Sequence, residues 1–505
     1  MGMKKKRVTP AQILVFSAAL LVTMLYVGFS AAGAGPGFPL DDSWIHQTYA
    51  RNLVQSGQWA YFPGESSAGS TAPLWTLLLA VGYGFRLPYL FWAYLWGGLS
   101  LVLLAGAGMA VWRTIWPEHR RLDWLVGLSL VFTWPLVWAA ASGMETLLFM
   151  ALGMLLVYFY VKQDERFTFW SGLLAGLLVL VRPEGLLLLL LIAVGLLLRP
   201  GRVGSLLRFG TAAALPLVPY FLFNLGISGT PWPNTFYAKQ VEYLILLDRP
   251  LLERYLSLLW FSLGGADAAR PGMTSAHLLL LPGILAAGWK AFRRDWTHKQ
   301  LHQLLPLLWA LGHVALYAWR LPVTYQHGRY LWATLPIWIL YGLAGWLDIL
   351  GWLMQYGSPG RIARRVAAAT YMVVLIIFFV LGGQAYAQDV AFIEGEMVQV
   401  AHWLQENTEP EALIAAHDIG AIGYFSQRTL LDTAGLVSPE IIPFLTDEQA
   451  MASYIEKEGA DYLVTAPGWP YTTIASRPGV RLLFETMYPW TREQGQNNMA
   501  VYQLP

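Results

Sequence analysis

Lys4-Lys5-Lys6-Arg7, an apolar run from about Ala11 to Ala32, and then Asp41-Asp42-Ser43-Trp44-Ile45-His46: this opening stretch decides how the chain folds. The run is longer than the ~7–15 residues of a signal-peptide core and many more apolar runs follow it, so it reads as a retained membrane anchor. Four cations precede it, and positive charge gathers on the cytoplasmic side, which puts the N-terminus inside and the two aspartates outside. Carboxylates are costly at a bilayer boundary, so an ionisable pair kept there marks a candidate site. The plainer alternative is a hydrated loop that happens to be acidic.

Outward from that stretch, the chain of 505 residues is 56% hydrophobic and 13% charged, and runs of about the ~20 residues that cross a bilayer recur along it. Spans are expected near 11–32, 89–112, 122–141, 144–161, 168–182, 185–199, 206–226, 275–291, 302–320, 330–350 and 367–386, a mainly α, polytopic helical bundle of about 11 crossings. The run from Pro73 to Phe85 is apolar but, at 13 residues, shorter than the ~17 needed to cross, and Arg86 and Pro88 close it. If it lies at the outer surface or re-enters, 19 of the 33 Lys and Arg residues fall in inner loops. Counted as a crossing, it would throw every later basic loop outside. The 24 Trp and 25 Tyr suit the aromatic belts of an integral plasma-membrane protein.

Residues 1–387 read as the transmembrane module, with outer loops at 33–88 and 227–275. The composition changes after the last span, so 388–505 reads as a soluble extracytoplasmic α/β domain. There Val398 to Leu404 is helical in pattern, and Ala412 to Ala416 is a strand entering a Gly-containing turn at His417-Asp418-Ile419-Gly420. Asp461 to Thr465 and Val480 to Phe484 are further strands, with Tyr454 to Glu458 helical between. The Gly420-x-x-Gly423 spacing is too weak to indicate a dinucleotide site. Leu251 to Leu263 reads as a short interfacial helix. Without Cys there are no disulfides, no thiolate catalysis and no Cys-ligated metal. A net charge of +2, with Lys and Arg at span ends, offers nucleic acid no basic surface.

On this topology five polar motifs reach the outer face. The first runs from Asp41, Asp42 and His46 through Tyr49-Ala50-Arg51-Asn52 to Phe62-Pro63-Gly64-Glu65 and Gly69-Ser70-Thr71. Ser142-Gly143-Met144-Glu145-Thr146 fills a tight outer connection, and Arg182-Pro183-Glu184-Gly185 joins two spans of only about 15 residues, so it is expected below the surface, in a cavity. Pro233-Asn234-Thr235-Phe236-Tyr237-Ala238-Lys239 lies in the long outer loop, and Gln326-His327-Gly328-Arg329-Tyr330 closes the outer end of the tenth span.

Each motif also has an ordinary explanation. Glu145 suits a helix N-terminus after Ser142. Arg182 and Glu184 suit an internal ion pair, and Lys239 and Arg329 suit snorkelling anchors. His46 and His327 lack HxxH or HxxE spacing and suit hydrogen-bonded structural imidazoles better than metal ligands. Taken together, these explanations do not account for carboxylates and cations gathering on one face. Cations can bind a phosphate, by bidentate Arg contacts or a Lys point charge. A carboxylate can take the proton of an attacking hydroxyl. Glycosyl transfer from a polyprenyl-phosphate sugar needs both, because the leaving phosphate gains negative charge while the acceptor alcohol is too weakly acidic to react unaided.

The five motifs resemble those of the GT-C glycosyltransferases, most of all the branch of AftB-type terminal arabinofuranosyltransferases. The resemblance extends over nearly the whole chain and includes His417-Asp418-Ile419-Gly420-Ala421-Ile422-Gly423-Tyr424 and Asp432-Thr433-Ala434-Gly435-Leu436. It implies a helical bundle with an outer cavity, a polyprenyl-phosphate sugar donor, arabinofuranose in that branch, and a glycan or lipid acceptor. It also implies inverting displacement with a first-loop acid as base, a role that falls on Asp41 or Asp42, with Asp41 favoured. Shared facing assigns Lys239, Arg182 and Arg329 to the donor phosphate, and Glu145, Glu184, Asn234, Tyr237, His327 and His46 to sugar or acceptor. Some relatives need a divalent cation and others do not, so Mg, Mn or Ca at Asp41 and Asp42 is left open. A transporter or flippase of lipid-linked sugars is the alternative from another class; the sequence shows no repeated pair of interrupted helices to favour it.

Overall fold

Thr9 caps the first helix, α1 (Pro10–Ala31): its hydroxyl accepts from the backbone N–H of Gln12, and the Gln12 side chain accepts from the Thr9 N–H at 3.0 Å. The computed structural model describes residues 9–199, 202–266, 272–467 and 471–505. Lys4 to Arg7, on which the expected orientation leans, lie outside the described residues.

After α1 the first long loop folds into α2 (Asp42–Ser56), a hairpin of β1 (Ala60–Phe62) and β2 (Glu65–Ser66), and α3 (Pro73–Gly84). Helix α3 occupies the apolar run that is too short to cross, and Trp92 ties it down by donating to the Leu78 carbonyl at 2.8 Å. The bundle continues through α4 (Tyr89–Ile115), α5 (Asp123–Phe132), α6 (Trp134–Ala141), α7 (Thr146–Lys162), α8 (Thr168–Val181), α9 (Gly185–Leu197) and α10 (Arg202–Ser228). The long loop after α10 holds α11 (Asn234–Glu242) and α12 (Leu251–Ser262), the latter where the interfacial helix is expected. Then come α13 (Leu281–His298), α14 (Leu305–Arg320), α15 (Leu335–Leu353) and the 36-residue α16 (Ser358–Ile393).

Every expected crossing is helical, yet not every helix is a full span. Among the described residues five helices are long and apolar enough to cross a membrane, six if the pair α5 and α6 is one. The reason is length: α8 and α9 have 14 and 13 residues, which at about 1.5 Å per residue falls short of a hydrocarbon core of about 30 Å. They form a hairpin whose turn, Arg182-Pro183-Glu184, ends inside the protein. The expected single span 122–141 is corrected to two helices bent by 59°. Thr133 between them is extended, and Pro135 supplies no N–H to carry the helix across the break.

Helix α16 runs past residue 387 and passes through a π segment, Glu394–Val398, into α17 (Gln399–Asn407). Beyond it lies a five-stranded sheet in the order β4-β3-β5-β7-β6, built from β3 (Leu413–Ala416), β4 (Thr429–Asp432), β5 (Tyr462–Thr465), β6 (Arg481–Glu485) and β7 (Ala500–Gln503). β3 lies parallel to β4 and β5, while β7 is antiparallel to β5 and β6. The crossovers are α18 (Gly420–Phe425) and α19 (Glu448–Glu458). The expected turn at 417–420 thus opens a helix, and β4 and β7 join the strands read from the sequence. Glu396 fastens this sheet to the bundle: fully buried, it accepts from Thr486, Thr491, the Asn498 amide at 2.7 Å and the Met499 N–H at 2.9 Å.

Candidate active site

Helix α2 starts at the two aspartates, Asp41 as the residue before its first turn and Asp42 as its first residue, and one helical turn separates Asp42 from His46 on the face that looks into the bundle. Opposite them stands the Ser142–Glu145 turn, fixed from two sides. Ser43 donates to the Ser142 carbonyl at 2.8 Å and Trp75 of α3 donates to the Gly143 carbonyl at 2.9 Å. Gly143 has φ +73, the left-handed region that favours glycine. The first loop also seats α11, since Ala68 accepts from the Asn234 N–H at 2.9 Å and Gly69 from the Thr235 hydroxyl at 2.7 Å.

These elements enclose a cavity of about 380 Å³. Its polar wall holds Asp42, Glu145, Arg182, Glu184, Lys239 and Arg329 with Tyr317 and Tyr330, and its apolar wall includes Leu186, Leu187, Leu190, Trp232, Phe236 and Leu316. Six site residues expected from five separate motifs therefore meet, and the two charged ends of the cavity differ. At one end the Asp42 carboxylate is paired with Arg329 and lies 3.4 Å from the Lys239 ammonium. Burial pushes the Asp42 pKa upward, but Lys239 and Arg329 together hold it well below the usual carboxylate range. For Lys239 burial favours the neutral amine, but Asp42 together with Tyr330 and Tyr325 outweighs it, so its pKa stands above the ordinary value. Arg329 is 3% exposed and its Nε and Nη1 have no hydrogen-bond partner. Buried donors are rarely left unmet, so two on one guanidinium facing a cavity require an explanation.

At the other end Arg182 is saturated. It donates to Glu145 at 2.6 Å, to Glu184 at 3.1 Å and to the Tyr317 hydroxyl at 3.2 Å, while Tyr317 donates to Glu184. His46 lies behind this group, its Nε2 3.3 Å from Glu145 and its Nδ1 3.3 Å from the Thr76 hydroxyl.

Several expected site residues are elsewhere. Asp41 is turned away from the cavity and accepts from the backbone N–H groups of Gly420 and Ala421, each at 2.7 Å. Burial, then the charge of Asp418, pushes its pKa up to about 7. His327 is held by Asp389 at 2.6 Å, which also accepts from Trp138 at 2.8 Å, and its ring stands between Trp134 and Trp138. Gln326 and His327 take φ of +49 and +61, and that left-handed turn sends Arg329 into the cavity while directing His327 out of it. Asn234 and Tyr237 do not line the cavity; their neighbours Thr235 and Phe236 do. Tyr317 is the addition that sequence reasoning lacks, because a tyrosine late in an apolar helix looks like an interfacial anchor. As for a cation, the Asp41 carboxylate turns to the Gly420 and Ala421 N–H groups while Asp42 turns to Arg329 and Lys239, so the two do not present their carboxylates to one ion. Among the described residues no group of three His, Asp or Glu is disposed to hold a metal.

The chain has the fold of the GT-C membrane glycosyltransferases. ArnT from Cupriavidus metallidurans in the apo state superposes over 97% of both chains with a TM-score of 0.62 at 14% identity. The same protein bound to undecaprenyl phosphate gives 0.57 at 15% identity, again over 97% of each chain. The Archaeoglobus fulgidus oligosaccharyltransferase, in complex with Zn and sulfate, gives 0.60 at 13% identity over 90% of this chain and 68% of that one. At these identities the likeness is one of fold. Residues 384–502 match a family described as a domain of unknown function, DUF8728. No curated protein matches the chain by sequence.

Proposed function

We propose that this chain is an integral membrane glycosyltransferase that moves a sugar from a polyprenyl-phosphate donor to an extracytoplasmic glycan or lipid acceptor. The observation that carries this reading is the Arg329 guanidinium, buried beside Lys239 with two N–H groups unmet at a cavity that also has an apolar wall. A phosphate oxygen would meet those donors, and the apolar wall suits the first isoprene units of its lipid. Two of the similar structures are of ArnT from Cupriavidus metallidurans, in one of them bound to undecaprenyl phosphate, which supports the same donor class here.

The chemistry assigned to these residues is an inverting displacement. The acceptor hydroxyl oxygen bonds to the anomeric carbon as the bond from that carbon to the phosphate oxygen breaks. The leaving phosphate keeps the electron pair against Lys239 and Arg329, and the hydroxyl proton passes to a first-loop carboxylate. Asp42 is our choice for that base in place of Asp41, because Asp42 lines the cavity whereas both Asp41 oxygens are occupied by Gly420 and Ala421. Its two cations make it a weak base until a donor phosphate shares them, after which its affinity for a proton rises. Arg182, already flanked by two carboxylates, is moved from the phosphate to the sugar end, where Glu145, Glu184 and Tyr317 offer partners for hydroxyl groups. Arabinofuranose is the proposed sugar on the strength of the motif resemblance, with the N-terminus in the cytoplasm and the cavity outside.

Purified full-length protein assayed against a panel of polyprenyl-phosphate sugars tests this, with Asp42→Asn and Asp41→Asn alongside. The expected result is transfer with inverted anomeric configuration from one donor, lost in Asp42→Asn. Full transfer by Asp42→Asn sinks the assigned base, and tight donor binding without turnover by the native protein points to a lipid-sugar carrier instead.

A further inference from the structure

Successive residues of a helix are turned by about 100°, so Asp41 and Asp42 at the start of α2 face different bodies. Asp42 looks into the bundle. Asp41, Ile45 and Tyr49, four residues apart, look at the sheet domain. Ile45 and Tyr49 share one apolar cluster with Ile419 and Ile422 beside α18. Further along, Arg51 donates to the Tyr424 carbonyl at 2.8 Å with its guanidinium 4.6 Å from that ring, and Tyr61 of the hairpin donates to the Ile419 carbonyl.

The sequence pays attention to this contact through its two glycines. A Cβ at Gly420 would stand 2.0 Å from the Asp41 carbonyl oxygen, and one at Gly423 would stand 1.9 Å from the Tyr61 hydroxyl. Neither distance is compatible with a side chain, so the Gly420-x-x-Gly423 spacing is a close-packing device. Helix α11 rests on the same body. Its Ala238 is fully buried in that cluster, and the next residue, Lys239, reaches Asp42. The base and one phosphate cation are therefore carried by helices seated on the sheet domain, whereas Arg329, Arg182 and Glu145 come from the bundle.

We propose that the sheet domain is the positioning platform of the site: by gripping Asp41 through the Gly420 and Ala421 N–H groups it fixes the rotation of α2 that aims Asp42 at Lys239 and Arg329. Asp41 is in this view a positioning residue. The catalytic consequence rests on the glycosyltransferase reading; the grip itself does not.

Full-length protein in lipid nanodiscs decides the matter through three readouts: hydrogen exchange of the α2 amides, affinity for undecaprenyl phosphate, and kcat. Gly420→Ala is expected to raise α2 exchange by about tenfold while α4, α15 and α16 keep their native protection. It should lower kcat by about tenfold to a hundredfold, the cost of a slightly misplaced catalytic group. Undecaprenyl phosphate affinity should change little, because Arg329 keeps its place. Arg51→Ala acts at the far end of the contact, and should move exchange and kcat in the same direction to a smaller extent, with Arg51→Lys restoring part of both. This second variant decides if Gly420→Ala does not fold. Unchanged α2 exchange in the folded variants overturns the proposal, and so does a kcat loss matched by an equal loss of undecaprenyl phosphate affinity. Should the native protein transfer no sugar at all, the glycosyltransferase reading fails, and the exchange measurement still decides the grip.

Discussion

The two charged ends of the cavity are built from the same kinds of residue and do opposite things. Around Arg182 two carboxylates and a tyrosine hydroxyl surround one cation, so every strong donor is already answered. Around Asp42 two cations share one carboxylate, and Arg329 keeps two buried donors unanswered. The first arrangement holds structure together. The second has positive charge to spare for an anion, which is why the donor phosphate is assigned there and the neutral, hydroxyl-rich sugar to its opposite.

Breaking the saturated end should show mostly as lost stability. Arg182→Ala leaves Glu145, 2% exposed, and Glu184 without their counter-ion, and removal of one partner of a buried pair costs about 3–5 kcal/mol. Thermal unfolding of the detergent-solubilised protein should report a large drop, and an unchanged midpoint would refute the idea that this end is structural. Breaking the unsaturated end should show as lost function. Arg329→Ala is expected to lower kcat/KM by about 10²–10³, the usual effect of removing a donor aimed at developing charge, together with weaker binding of undecaprenyl phosphate. If binding is unaffected, the phosphate lies elsewhere.

Smaller changes sharpen the contrast. Tyr317→Phe removes one hydroxyl from the Arg182 and Glu184 network, for a loss of about 1 kcal/mol in stability, and it should raise KM for the donor sugar without altering affinity for undecaprenyl phosphate. The smallest effect concerns Asp41. Folded, it holds its proton up to about 7 against an ordinary 3.8, so its contribution to stability is present at low pH and is lost as pH rises between those values. Asp41→Asn should flatten that part of the stability profile, and a native profile that rises over the same window would contradict the shift.

Much of this was legible before any coordinates. The apolar runs mark helices wherever the chain crosses or re-enters, since burial in lipid leaves a local signature of length and composition. Short apolar runs near 413–416 and 462–465 betray the distal domain for a similar reason, whereas β4 and β7, of the same four-residue length, end on the polar Asp432 and Gln503 and lack a pattern of their own. The bend at Thr133 was harder to see, because the apolar run continues through it.

The sequence by itself determined a mainly helical membrane bundle with a small distal sheet domain and the kinds of charge its polar motifs bring, because hydropathy and loop composition are properties of neighbouring residues. Only the tertiary structure decided which of two adjacent aspartates enters the cavity, that His327 is directed away while Arg329 enters, that Arg182 is already neutralised, and that two glycines in the distal domain exist to let Asp41 and Tyr61 come close. The physical reason is range: each of those facts is a contact between residues far apart in the chain, such as Asp42 with Arg329 or Asp41 with Gly420, and depends on helix rotation and packing that no local pattern encodes.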